Sequence, residues 1–250
     1  MAFVETLVHH LEPVARSART HDVYIGVFWT MVILEMEGML RAGIAATTSG
    51  HHETHDKMRD VGQLHHLDVP TLLSRALSDY PLETGVGIAT ANALLNPPAE
   101  HLTEVNAREL VLRYGKGRRV AMVGHFPFVP QVRQVAATLD VLELHPQKGD
   151  LPADEAPRVI PQADVVAITG TTLLNGSFDT LVSLCRRDAL VILMGGTAPL
   201  TSLFFEVGID IVAGTQVVDI DAALRAITQG GGYRQIPGKR LVTLSRCEMR

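Results

Sequence analysis

Apolar positions divide the chain into two differently patterned parts. Near the start, Val4, Leu7, Val8, Leu11, Val14, Ala15 and Ala18 recur at the roughly 3.6-residue period of one helix face. Pro13 falls inside that pattern and predicts a kink or a division, since proline lacks the N–H and crowds the preceding turn. Residues 23–34 are rich in β-branched and aromatic side chains and read as one long strand, apolar on both faces. Glu35 to Gly38 reads as a turn and Met39 to Thr48 as the returning strand, so this part carries a β-hairpin. Residues 49–68 are polar and His-rich, and read as irregular or partly helical. Pro70 to Asp79 reads as a short helix with proline in its first turn. Glu83 to Leu95 reads as a helix of small residues. It ends at Asn96-Pro97-Pro98, because proline disfavours the helical conformation in the residue before it. The Pro-Pro pair sets the expected boundary: an α+β domain over 1–98 and a second domain over 99–250.

Beyond about residue 105 the pattern changes. Strands are expected at 119–124, 141–144, 164–169, 189–194, 209–213 and 240–244. Helices are expected at 105–114, 128–138, 177–186, 200–207 and 220–229. Short, continuous apolar strands alternating with helices imply a parallel sheet covered on both faces. The expected fold class is therefore α/β, with a hairpin-bearing α+β domain followed by a Rossmann-like parallel-sheet domain.

Composition narrows the function. With 46% hydrophobic and 20% charged residues the chain is globular rather than disordered, and its net charge of −5 argues against nucleic acid as a partner. Cys185 and Cys247 form no CxxC pair, which excludes a disulfide scaffold and a Cys-ligated zinc site. The opening MAFVETLVHH has neither a basic nor an apolar leader segment. The longest uncharged run, Ala189 to Phe205, is broken by Gly195, Gly196 and Pro199 and does not suit a membrane span. The expectation is a cytoplasmic protein with a small-molecule or metal partner, no membrane partner, and homo-oligomerisation left open.

In open α/β sheets ligands bind beyond the carboxyl ends of the strands. After the first strand comes Gly124-His125-Phe126-Pro127-Phe128. It lacks the second and third glycines that admit a pyrophosphate to a helix N-terminus, so no tight NAD or FAD is expected. The second strand ends at Glu143, 19 residues past Gly124, where a Rossmann fold places the acid that grips ribose hydroxyls. A solvated strand-end acid is the plainer alternative. Two hydroxyl-rich turns follow later strands, Thr169-Gly-Thr-Thr-Leu-Leu-Asn-Gly176 and Gly195-Gly-Thr-Ala-Pro-Leu200. They offer donors to a polar ligand, or act only as helix caps. Asn92 and Asn96 share one helical face in the first domain. Asn is a poor helix-interior residue, so Asn92 serves either a contact across the interface or a local backbone bond. Together Asn92, Asn96, Gly124, Phe126, Glu143, Thr169, Thr171, Asn175 and Thr197 make the expected ligand crevice between the domains.

The histidines are the most unusual feature, with five of the eleven in residues 50–68. His51 and His55 share a face if helical. If extended, Glu53 joins them. With His65 and His66 they are the candidate metal ligands, a set suited to zinc, nickel, copper, iron or cobalt rather than calcium. An exposed polar loop remains the alternative. There is no HExxH, GxSxG or P-loop, and Cys185 reads as core packing.

Five blocks also carry a family resemblance over roughly residues 20–245. They are Ile25-Gly-Val-Phe-Trp-Thr30, Gly87-Ile-Ala-Thr-Ala-Asn-Ala-Leu-Leu-Asn96, Val123-Gly-His-Phe-Pro127, Ala163 to Gly176, and Gly208-Ile-Asp-Ile-Val-Ala-Gly-Thr215. In this order they resemble a family named for heavy-metal chelation. The resemblance implies an enolase N-terminal-like domain joined to a Rossmann-like domain, with a site between the two. The role it suggests is metal chelation or handling, linked to metal uptake or cobalamin-type pathways. The His-rich 51–66 stretch goes beyond the resemblance. Two function readings follow. The first is a binding protein for a transition-metal ion or metal chelate. The alternative is an enzyme, a transferase or synthase in cofactor or metallophore assembly, holding an adenosyl-type ligand near Gly124 and Glu143.

Overall fold

The computed structural model describes residues 2–48 and 58–246. Helix α1 (Phe3–Ala15) buries Leu7, Leu11 and Ala15 of the expected stripe together with Phe3, which the stripe did not include, while Val14 is exposed. It is not divided at Pro13: the proline falls in its last turn, where the missing N–H costs one bond near an end. The expected long strand over 23–34 is in fact two strands, β1 (Arg19–Ile25) and β2 (Trp29–Met36). The chain turns at Gly26, whose N–H donates to the Trp29 carbonyl at 3.0 Å. The turn escaped the pattern because Val27 and Phe28 are apolar yet exposed. Strand β3 (Met39–Ala46) follows a two-residue turn in which Glu37 and Gly38 both have positive φ, 52° and 74°, as a type I′ hairpin requires. The three strands form an antiparallel sheet in the order β1-β2-β3.

Helix α2 (Val69–Ser74) packs on α1 and on α3 (Pro81–Leu94), and α3 packs on β2 and β3 of this sheet. Almost all of α3 is buried, and it lies against β3 so closely that a Cβ at Gly43 would sit 2.2 Å from the Ala89 carbonyl oxygen. Met31, Ile33, Ala42 and Ile44 of the small sheet pack on Ala223, Ile227 and Ile236 of the later chain.

The remaining strands are β4 (Leu102–Thr103), β5 (Arg119–Val123), β6 (Thr138–Glu143), β7 (Leu151–Pro152), β8 (Val165–Thr169), β9 (Leu190–Met194), β10 (Ile211–Val217) and β11 (Lys239–Ser245). They form one sheet in the order β4-β11-β10-β9-β8-β5-β6-β7. The helices between them are α4 (Ala107–Gly115), α5 (Val129–Val135), α6 (Ala156–Val159), α7 (Phe178–Ser183), α8 (Leu203–Glu206) and α9 (Ile220–Thr228). Strands β7 through β10 pair in parallel, as expected of a Rossmann-like sheet. The departure is at one edge, where β11 runs antiparallel to β10 and β4 antiparallel to β11. The two-residue strands β4 and β7 are too short to show a sequence pattern.

From β5 the chain steps outward through β6 to β7, then returns to the other side of β5 as β8. The direction of winding therefore reverses between β5 and β8, the position at which open α/β sheets leave a crevice. Among the described residues no helix is long and apolar enough to cross a membrane.

Candidate functional site

Three strand ends build the crevice. After β5 the chain turns at Gly124 with φ +104°, and a Cβ there would lie 3.1 Å from both the Phe126 ring and the Thr169 side chain. Only glycine meets both the conformation and the space. At the end of β6, Glu143 Oε1 accepts the His125 backbone N–H at 2.5 Å, and Oε2 accepts the Leu144 N–H at 3.2 Å. Two backbone donors thus fix the carboxylate, and an ionised carboxylate has lone pairs left beyond two bonds. After β8, the Thr169 and Thr171 hydroxyls lie 3.0 Å apart, and the Thr172 hydroxyl donates to the Thr169 carbonyl at 2.7 Å. Asn175 Oδ1 accepts the Ser177 N–H at 3.1 Å and its hydroxyl at 2.7 Å.

Gly124, Phe126, Glu143, Thr169, Thr171 and Asn175 line one recess of about 480 Å³, with Leu142, Leu181 and Leu184 among its apolar walls. Glu143 and Asp154 are its acids, and among the described residues no Lys or Arg lines it. His125 also lines it, with Nδ1 2.8 Å and 3.0 Å from the two carboxylate oxygens of Asp150. The Asp150 side chain is 1% exposed and also accepts the Gln147 N–H at 3.1 Å. Sequence reasoning missed His125, Asp150 and Asp154. The one usable signal was a histidine directly after the strand-ending glycine. Asp150 lies in a loop 25 residues away, and no local pattern pairs the two.

Asn92, Asn96 and Thr197 are not brought to this recess. Asn92 Nδ2 donates to the Ile44 carbonyl at 2.8 Å and to the Thr197 carbonyl at 3.3 Å. Thr197, 2% exposed, accepts the Ala46 N–H on its hydroxyl oxygen at 3.0 Å. These side chains tie β3 and α3 to the turn after β9. Both readings of Asn92 are met: the shorter bond goes to a backbone carbonyl of its own part, and the longer one crosses to the other part. Asn92 and Asn96 line a separate, smaller recess of about 240 Å³ with Arg41, Thr215 and Arg240. The nine residues expected to share one crevice between the two parts therefore divide. Six line a recess formed by residues 123–184, inside the larger-sheet part.

His51 and His55 lie outside the described residues. His65 and His66 are exposed on a single 3-10 turn, Leu64–His66, with ring centroids 3.9 Å apart. Among the described residues no three His, Cys, Asp or Glu side chains converge as a metal cluster. Cys185 is half-buried in the core, where burial, aided by the charge of Asp210, pushes its thiol up to about 11. It stays a thiol at neutral pH and is no nucleophile.

Comparison with known proteins places this geometry. Two family models match, one over residues 8–95 and one over residues 106–245, and both carry the description "Putative heavy-metal chelation". An uncharacterized protein of Methanocaldococcus jannaschii is 30% identical over 210 residues, 81% of this chain and 80% of the relative. A Pyrococcus horikoshii protein of unknown function, from the family that matches residues 106–245, superposes with a TM-score of 0.84 at 17% identity, over 97% of this chain and 99% of that one. A Desulfitobacterium hafniense protein of unknown function from the same family gives a TM-score of 0.80 at 20% identity, over 97% and 100%. The two solved structures share the fold, and the model over 106–245 alone takes in more than half of the chain. This protein belongs to the family described as "Putative heavy-metal chelation".

Proposed function

We propose that this protein binds a transition metal in chelated form, as a small organic complex carrying hydroxyl or amine donors, in the recess between β5, β6 and β8. Membership of the family supports a general metal-binding role. Glu143 carries the finer reading: a carboxylate fixed by two backbone N–H groups at the lip of a recess of about 480 Å³, sited where the winding reverses. With Glu143 and Asp154 lining it and no Lys or Arg among the described residues, the recess suits a neutral or cationic ligand rather than a phosphate. The threonine hydroxyls and Asn175 supply neutral hydrogen bonds. His51, His55, His65 and His66 remain the proposed contact for a free metal ion. Its binding falls as pH drops through about 6.5, where imidazole protonates.

One observation also favours a second reading. An acid at the end of the strand next to β5 is where a Rossmann fold holds ribose hydroxyls, which suits the adenosyl-type ligand of a transferase or synthase.

The test is a thermal-shift and calorimetric comparison of three probes: copper(II)–diethylenetriamine, S-adenosylmethionine and NAD. The parent is the chain with His51, His52, His55, His65 and His66 replaced by Ala, so that the His-rich stretch of the sequence does not compete. The copper chelate is expected to stabilise the fold, by about 2.7 kcal/mol at a hundredfold excess over its Kd. The Glu143→Gln variant should weaken it. Stabilisation by S-adenosylmethionine alone would favour the enzyme reading. No response to the chelate would overturn the proposal.

A further inference from the structure

The recess contains one pair of groups that the proposed function does not yet use, and nothing in the family description assigns it. His125 follows Gly124 directly, so the β5 turn that shapes the recess also sets the imidazole on its wall. The ring is 26% exposed, whereas the carboxylate that holds it is 1% exposed. Asp150 takes Nδ1 at 2.8 Å and the Gln147 N–H at 3.1 Å, so it is itself fixed by the backbone of its loop. A carboxylate accepts, so Nδ1 carries the hydrogen, and in the neutral ring the lone pair is on Nε2. Nε2 has no hydrogen-bond partner among the described residues. A buried carboxylate on Nδ1 is the arrangement that orients a metal-binding imidazole and raises its basicity.

Glu143 is joined to the same residue, through the His125 backbone N–H. The strand-end acid is therefore anchored to the backbone that carries the imidazole. A metal whose other positions are already filled by an organic chelator needs only one further donor from the protein.

We propose that His125 is the protein's ligand to the chelated metal: Nε2 donates its lone pair to an open position on the metal and displaces a bound water. Asp150 is the positioning residue that holds the ring. No electron is transferred, and the Nδ1 proton stays on the bond to Asp150. The inference rests on the proposed chelate reading of the recess and names the atom through which that reading works. The ligand class is accordingly a metal complex with at least one exchangeable position, neutral or cationic overall.

The experiment uses the chain with the same five histidines replaced, and copper(II)–diethylenetriamine, which has one open equatorial position. Affinity is measured by calorimetry. Metal position is read from paramagnetic broadening of amide NMR signals. The parent should show selective broadening of Gly124, Phe126 and Thr171. His125→Gln should lose that broadening and the tight binding event. Asp150→Asn should keep the broadening but weaken affinity by roughly 10- to 100-fold, as removal of an orienting carboxylate does. Asp150 is buried, so the deciding variant is His125→Gln, whose side chain is partly exposed, with its fold checked by its amide spectrum. If His125→Gln binds the chelate as tightly as the parent while Glu143→Gln is weakened, the ligand role of His125 is overturned and the recess reading stands. If neither substitution changes affinity, the recess reading falls with it.

Discussion

Two buried carboxylates in this molecule do opposite work. Glu83, the third residue of α3, is 1% exposed. It accepts the Arg59 N–H at 3.0 Å, Arg59 Nε at 2.9 Å and Nη2 at 2.6 Å, the Ser78 hydroxyl at 2.7 Å, and Arg75 Nη1. Arg75, 3% exposed, closes the set by also pairing with Asp60. Every acceptor position is used within the chain. Asp150 is as deeply buried, but its partner His125 keeps one ring nitrogen without a hydrogen-bond partner among the described residues. Glu143 likewise spends two bonds and retains lone pairs. A saturated buried charge fixes a fold. One that is held but left with an open valence is what the proposed chelate site uses.

The largest effect that tests this contrast is on stability. Glu83→Ala leaves the Arg75 guanidinium buried with only the half-exposed Asp60 as partner. Breaking a buried pair from one side costs about 3–5 kcal/mol. Urea denaturation should show that loss. A change under about 1 kcal/mol would mean the cluster is not saturated in the sense argued.

Acid gives a second measure of nearly the same size. Burial by itself raises the Glu83 pKa, but hydrogen bonds from Arg59 and Ser78 and the charge of Arg75 outweigh it and bring it from 4.5 down to about 2. A depressed folded-state pKa contributes stability that is complete above the unfolded value and is lost as pH falls through the folded one. The window is therefore pH 4.5 down to 2. At about 1.4 kcal/mol per unit the contribution is about 3 kcal/mol. In Glu83→Gln this part of the acid profile should flatten. An unchanged slope would place the acid sensitivity elsewhere.

On the recess side the corresponding structural change is smaller. Gly124→Ala puts a Cβ against Phe126 and Thr169 at a positive φ. The strain is expected to cost about 1–3 kcal/mol and to narrow the recess. Chemical denaturation measures the first and the copper-chelate titration the second. A variant with parental stability and affinity would show that the β5 turn does not shape the site.

The same contrast explains what the sequence could and could not reveal. Strand ends are legible, because β5, β8 and β9 are continuous apolar runs with Gly or Thr at or just beyond their ends. That pattern alone locates Gly124, Thr169 and Thr171 along the chain. Glu143 ends β6, where exposed Thr138 and Asp140 break the apolar run, and is legible through its spacing from Gly124. What pairs with what is not legible. Asp150 meets His125, and Glu83 meets Arg59 and Arg75, through tertiary packing that leaves no periodic trace. Asn92 stands out in the sequence for a sound reason, an amide inside a helix. Its donors, however, go to the Ile44 and Thr197 carbonyls, so it joins the two sheets and lines a different recess. The turn at Val27 and Phe28 is hidden because both residues look like strand.

The smallest and most specific prediction is Glu143→Gln. The amide keeps an oxygen for the His125 N–H, the shorter of the two bonds, but offers no second acceptor to Leu144 and carries no charge. Glu143 is only partly buried, and no Lys or Arg among the described residues lines its recess, so stability should change by no more than about 1 kcal/mol. That is well under the loss predicted at Glu83. Binding should change in a way that depends on the ligand's charge. A cationic copper chelate loses a favourable Coulomb interaction and should weaken tenfold or more, about 1.4 kcal/mol. That loss should shrink at high salt to the extent that the site is open to solvent. A neutral diol exchanges a charged acceptor for an uncharged one and should weaken only a few-fold, since neutral hydrogen bonds still contribute about 1 kcal/mol. Equal weakening of both probes would mean that Glu143 works through the shape of the β5 turn, as Glu83 works through its cluster. The open carboxylate would then belong with the closed one.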